Sequence, residues 1–223
     1  MLSRFKKIFR REKELPPATE AVHYPYLVTG CGRSGTHFLA KYLQLNGIDV
    51  GHETPQSEGV VGWIYGAEGF CKDRLTTFDH KGHIIRHPLL AVRSLQTIND
   101  RAWRYIDRYL PVCTHDNKIA FAMRYWVHWN KMCMDGAAFS VRLEDFNGEA
   151  IEANAKLRAF FGRDCNAALI PAAREHGDSR KKRGDYAHKL TLDDLRKADA
   201  QTYAQMQELA AHFAYDLDSD TAG

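Results

Sequence analysis

No apolar run in this 223-residue sequence approaches the about 20 residues that a helix needs to span a bilayer. No CxxC pair is present. The five cysteines (Cys31, Cys71, Cys113, Cys133 and Cys165) are scattered and odd in number, which argues against a disulfide framework and for a reducing compartment. Internal repeats and low-complexity tracts are absent. With 44% hydrophobic and 26% charged residues, the chain has the composition of a globular protein, which excludes disorder and collagen-like structure. A basic body is missing as well. The formal net charge is +3, but residues 1–14 hold Arg4, Lys6, Lys7, Arg10, Arg11 and Lys13 against Glu12 and Glu14. The rest of the chain is therefore slightly acidic, and a nucleic-acid-binding face is not expected.

What is present begins with that basic segment. Leu2, Phe5, Ile8 and Phe9 fall on one side of a helix whose other positions are basic, a pattern suited to an anionic membrane surface. The segment lacks the apolar centre and small-residue cleavage site of a secretory signal. A cytoplasmic location is expected, with peripheral contact at the inner membrane surface through residues 1–14. Pro16 and Pro17 break this helix. The pattern divides the chain into a basic helix and linker (1–25), one folded domain (26–217) and a tail (218–223).

Within the domain, strand and helix patterns alternate. Tyr26–Thr29 reads as a buried strand. A glycine-rich turn follows, then a helix carrying Phe38, Leu39, Tyr42 and Leu43 and closed by Asn46-Gly47. Ile48–Val50 reads as a second strand and residues 51–82 as long loops with short helices. His83–Arg86 is a further strand, Pro88 opens a helix, and residues 116–134 form a longer helix with a buried stripe at Ile119, Ala122, Trp126, Trp129 and Cys133. Phe139–Leu143 is a late strand, residues 149–161 are helical, and 174–189 are a basic loop. The last helix takes Thr191 as its N-cap, with Asp193 and Asp194 in its first turn. The alternation predicts an α/β fold with a central, mostly parallel sheet flanked by helices, whose ligands bind at the carboxyl ends of the strands.

The turn Gly30–Gly35 sits between a strand and a helix, as a phosphate cradle requires: backbone N–H groups converge and the helix adds its positive end. It is not a Walker A loop. Gly30 and Gly35 have the right separation, but Thr36-His37 stands where lysine and a hydroxyl residue belong, and the cation is Arg33 inside the loop. The segment GRSGTHF resembles the 5′-phosphosulfate loop of sulfotransferases that use 3′-phosphoadenosine 5′-phosphosulfate (PAPS). A second segment, IIRHPLLAVRSL, has the family's spacing of a strand-ending arginine and a serine eight residues on, here Arg86 and Ser94. An arginine fork and a hydroxyl suit a phosphate monoester. A third, Arg180-Lys181-Lys182-Arg183-Gly184-Asp185-Tyr186, resembles the family's C-terminal basic loop, though Ala187 replaces the lysine after the aromatic residue. VRLEDF (141–146) resembles its late strand.

The resemblance implies a P-loop-NTPase-like three-layer fold and sulfuryl transfer from PAPS to an acceptor hydroxyl. The short chain and its GHE loop point to a carbohydrate or glycolipid acceptor. The donor site it implies comprises Gly32, Arg33, Ser34, Gly35, Thr36, His37, Arg86, Ser94, Arg180, Lys181, Arg183 and Gly184. Arg33 would stabilise the transferring sulfonate, and Glu53, with His52 as runner-up, would be the general base. His37 could contact the sulfonate or act as the base; capping the helix or packing is the plainer role. No metal is expected: His83 and His87 would not share a helix face, and no third ligand accompanies them. Two other readings stand beside this one, a P-loop kinase or NTPase and a non-catalytic nucleotide- or glycan-binding module.

Overall fold

The computed structural model describes residues 20–110, 117–177 and 190–217. The basic segment 1–14, the cluster Arg180, Lys181, Arg183 and Gly184, and the tail 218–223 lie outside the described residues. In chain order the elements are β1 (Val22–Thr29), α1 (Thr36–Leu45), β2 (Val50–His52), β3 (Gly59–Val61), α2 (Glu68–Asp73), β4 (Thr76–Ile85), α3 (Pro88–Leu95) and α4 (Asp100–Tyr109). Then come α5 (Lys118–Met134), β5 (Ser140–Arg142), α6 (Ile151–Phe161), α7 (Ile170–Gly177), α8 (Leu192–Ala198) and α9 (Ala200–His212). The five strands form one sheet in the order β2-β3-β1-β4-β5, and every pairing is parallel. The α/β expectation therefore holds.

Val28, Ile84 and Val141 pack with α1, α6 and α7, whereas Ile85, one residue on, packs with α3, α5, α8 and α9. Successive strand residues face opposite sides of a sheet, so helices cover both faces. Because all strands run the same way, their carboxyl ends share one edge. The loop after β1, His52 and Glu53, the turn at Trp63, and Arg86 and His87 all emerge there.

Several segments differ from the sequence pattern. β1 begins at Val22, inside the stretch assigned to the linker, and β4 begins at Thr76, inside the predicted loops. The outer ends of the two extensions, Val22–Tyr24 and Thr76–Phe78, pair with each other, and their residues are exposed or half-buried. No other described strand pairs with these ends, and Phe78 packs against Leu27, Val60 and Tyr65. β3 is three residues long, too short for a period to register, and β2 is shifted to Val50–His52. α4 was not marked by the sequence pattern; Asn99 caps it, its side chain accepting from Ala102 N–H. The first part of the predicted basic loop, residues 174–177, belongs to α7. Finally, the last helix divides at Asp199, whose extended backbone ends α8 and whose carboxylate caps α9. The predicted Thr191 cap is present and is reciprocated by Asp194.

Candidate functional site: an anion cradle at the carboxyl edge

Sterics dictate the loop between β1 and α1. A Cβ on Gly30 would stand 2.0 Å from the Ile84 carbonyl oxygen, and one on Gly32 would stand 2.9 Å from Tyr125 Oη. Gly35 takes φ +92°, and Arg33, with φ +74°, is held in the same left-handed region without being glycine. Such conformations cost about 1–3 kcal/mol in a non-glycine residue and persist where the surroundings enforce them. Ser34 N–H closes a tight turn onto the Cys31 carbonyl at 3.1 Å, and helical bonding begins with Leu39 N–H to the Gly35 carbonyl at 2.9 Å.

The start of α1 is open. Its N-cap is Gly35, no side chain caps it, and its first turn carries no acidic residue. Its positive end therefore meets no protein carboxylate from its own first turn. Ser34 is fully buried, and among the described residues its Oγ has no hydrogen-bond partner. A buried hydroxyl without a partner is costly, so a bound acceptor of hydrogen bonds would relieve it.

The two predicted motifs meet at this loop. Arg33 Nε donates to Ser94 Oγ at 2.8 Å, and Arg86 Nη1 donates to the Arg33 carbonyl at 3.3 Å. Ser94 is 3% exposed, so its hydroxyl is fixed in the first layer under the loop. Trp126 Nε1 in turn donates to the Arg86 carbonyl at 3.2 Å.

The candidate base residues lie on the other side of α1's first turn. His52 Nε2 is 3.4 Å from Thr36 Oγ1, and its ring meets the His37 ring edge-on with centroids 4.8 Å apart. Burial, then the charge of His37, lowers the His52 pKa to about 4. Glu53 adopts φ +59°; its Oε1 accepts from Trp63 Nε1 at 2.7 Å and lies 3.9 Å from His52 Nε2. The His37 ring packs on His52, and no side chain caps α1. His37, Ala40, Lys41, Gln44 and His52 line an open groove of about 260 Å³ along α1.

Gly32, Arg33, Ser34, Gly35, Thr36, His37, His52, Glu53, Arg86 and Ser94 are thus all gathered at one edge, while Arg180, Lys181, Arg183 and Gly184 lie outside the described residues. Sequence reasoning missed the supports behind them. Tyr125 Oη accepts from Gly32 N–H at 2.7 Å, and Asn130 Oδ1 accepts from Cys31 N–H at 3.2 Å. Their only signal in the sequence is polarity within the buried stripe of α5.

No family model, curated protein or solved structure matches the chain. Among the described residues, no helix is long and apolar enough to cross a membrane.

Proposed function

We propose that the chain is a PAPS-dependent sulfotransferase with a P-loop-NTPase-like fold, and that its acceptor is a hydroxyl on a carbohydrate or glycolipid. The meeting of the two motifs carries this reading: the Arg33 guanidinium bonds Ser94, and Arg86 bonds the Arg33 carbonyl. One cluster could then hold both ends of a nucleotide with a 3′-phosphate and an activated 5′-end. The open start of α1 and the unpartnered Ser34 hydroxyl support an anion there.

In the reaction, the acceptor oxygen forms a bond to sulfur while the bond from sulfur to the 5′-phosphate oxygen breaks. The acceptor proton passes to a base, and the products are a sulfate ester and 3′,5′-bisphosphoadenosine (PAP). As in phosphoryl transfer, positioning and electrostatics do most of the work. Arg33 neutralises charge on the sulfonate and the leaving phosphate, helped by N–H groups at the start of α1.

We favour His52 over Glu53 as the base. Glu53 is engaged by the Trp63 indole, whereas His52 stands beside Thr36 and lines the groove. Only neutral imidazole accepts a proton. With a pKa near 4, His52 is in its basic form at neutral pH and loses that form as pH falls through about 4. PAP formation from PAPS should therefore show an acid limb near pH 4, and His52→Gln should remove that limb and slow turnover by roughly 10²-fold. A limb near the ordinary histidine value of about 6.5, unchanged in the variant, assigns the base elsewhere.

Thermal unfolding with PAP, 5′-AMP and Mg-ATP tests the class. A ligand at about 100 times its Kd adds roughly 2.7 kcal/mol. Stabilisation by PAP and not by 5′-AMP is expected, because Arg86 and Ser94 read the 3′-phosphate. Stabilisation by Mg-ATP alone overturns the proposal in favour of an NTPase.

A further inference from the structure

His83 has no part in the chemistry above, yet it is completely buried in the middle layer of the molecule. Its surroundings fix its protons. Asn130, also 0% exposed, donates from Nδ2 to the Trp126 carbonyl at 2.8 Å, so its Oδ1 is the accepting end. That Oδ1 lies 3.2 Å from His83 Nε2 and 3.2 Å from Cys31 N. An amide oxygen can only accept, so Nε2 carries the imidazole proton. Nδ1, 3.0 Å from Ser140 Oγ, then accepts from that hydroxyl. Burial lowers the His83 pKa to about 4, which keeps this neutral tautomer in place at physiological pH.

The chain of bonds runs from β5 through β4 and α5 to the loop N–H of Cys31. Five residues before Asn130 on α5, Tyr125 Oη takes the next loop N–H, that of Gly32. Both N–H groups are thereby committed to the protein interior. An anion must be met by later groups: the N–H groups around Gly35, Thr36 and His37, and the Ser34 hydroxyl.

We propose that His83, Asn130 and Tyr125 are positioning residues for the anion cradle: the imidazole locks the Asn130 amide, and Asn130 and Tyr125 turn the Cys31 and Gly32 N–H groups inward so that the later ones are left for the ligand. This rests on reading the loop as an anion site, but not on the identity of the nucleotide. The loop conformation is then imposed from beneath, through bonds that no substrate touches.

Inorganic pyrophosphate, which can probe the cradle without a 3′-phosphate, provides the test. In an amide-resolved NMR titration of the wild type, Gly35, Thr36 and His37 should move most and Cys31 and Gly32 least. His83→Leu should weaken pyrophosphate about tenfold, the worth of a lost buried hydrogen bond, and His83→Gln, which restores an N–H donor, should recover most of the affinity. Tyr125→Phe, which keeps the ring and removes the acceptor, should also weaken binding and carries the test if His83→Leu does not fold. Wild-type affinity in a folded His83→Leu or Tyr125→Phe protein overturns the proposal, because a merely structural role would lower the melting temperature alone. Largest shifts at Cys31 and Gly32 overturn it too. Pyrophosphate binding without discrimination between PAP and 5′-AMP would leave this proposal standing and remove the sulfotransferase reading.

Discussion

Replacing Arg33 by alanine should lower PAP formation from PAPS by roughly 10²–10³-fold, the usual cost of removing one donor aimed at a transition-state anion. Arg33 is the only lysine or arginine between Gly30 and His37, so no neighbour in the loop can replace its charge. The substitution is also structurally clean. Alanine at φ +74° carries the same backbone penalty as arginine, and the Arg33 carbonyl remains to accept from Arg86. What is lost is the guanidinium and its bond to Ser94. PAP affinity should therefore fall much less than turnover. Arg33→Lys should restore only part of the rate, because a single ammonium has neither the planar fork of a guanidinium nor an Nε to hold Ser94. Wild-type turnover in Arg33→Ala, measured as PAP released under single-turnover conditions, removes the proposed mechanism.

A large loss of stability is expected of Gly30→Ala. A Cβ there would lie 2.0 Å from the Ile84 carbonyl oxygen, and that oxygen belongs to the central strand β4. No side chain can rotate away to make room. The two central strands must part, and the loss should be about 3 kcal/mol, the upper range for overpacking a core. Gly47→Ala is the matched control. Nothing lies within 4 Å of its added Cβ, and only its φ of +76° opposes the change. It should cost about 1 kcal/mol. Urea midpoints of the two variants separate the cost of space from that of conformation; equal losses would mean that Gly30 is not held by close approach.

The contrast between these glycines also bears on what could be read from the sequence. The loop and the Arg86–Ser94 pair were legible because each is encoded within a dozen consecutive residues and follows a recognisable strand. Their direct bond was not, although both had been assigned to one ligand. Tyr125 and Asn130 were invisible for another reason: their partners are backbone N–H groups 93 and 99 positions away, and a backbone group leaves no mark in a sequence. The first half of β4 escaped because β1 is the only described strand that pairs with it, so its residues never acquired a buried period. Glu53 and His52 were adjacent candidates of similar chemistry. Trp63, which separates their roles by binding one of them, lies ten residues further on in a turn without periodicity.

The tethering of the loop to α5 divides the site into a stiff half and a compliant half. Cys31 and Gly32 cannot leave their places without breaking buried bonds to α5. His52 instead ends β2, a three-residue strand at the border of the sheet, Glu53 follows it, and the groove beside His52 is open. Under the proposed function, the stiff half would hold the activated donor in one pose and the compliant half would face the acceptor, so that the donor would be selected by geometry and acceptors of varied outline by fit.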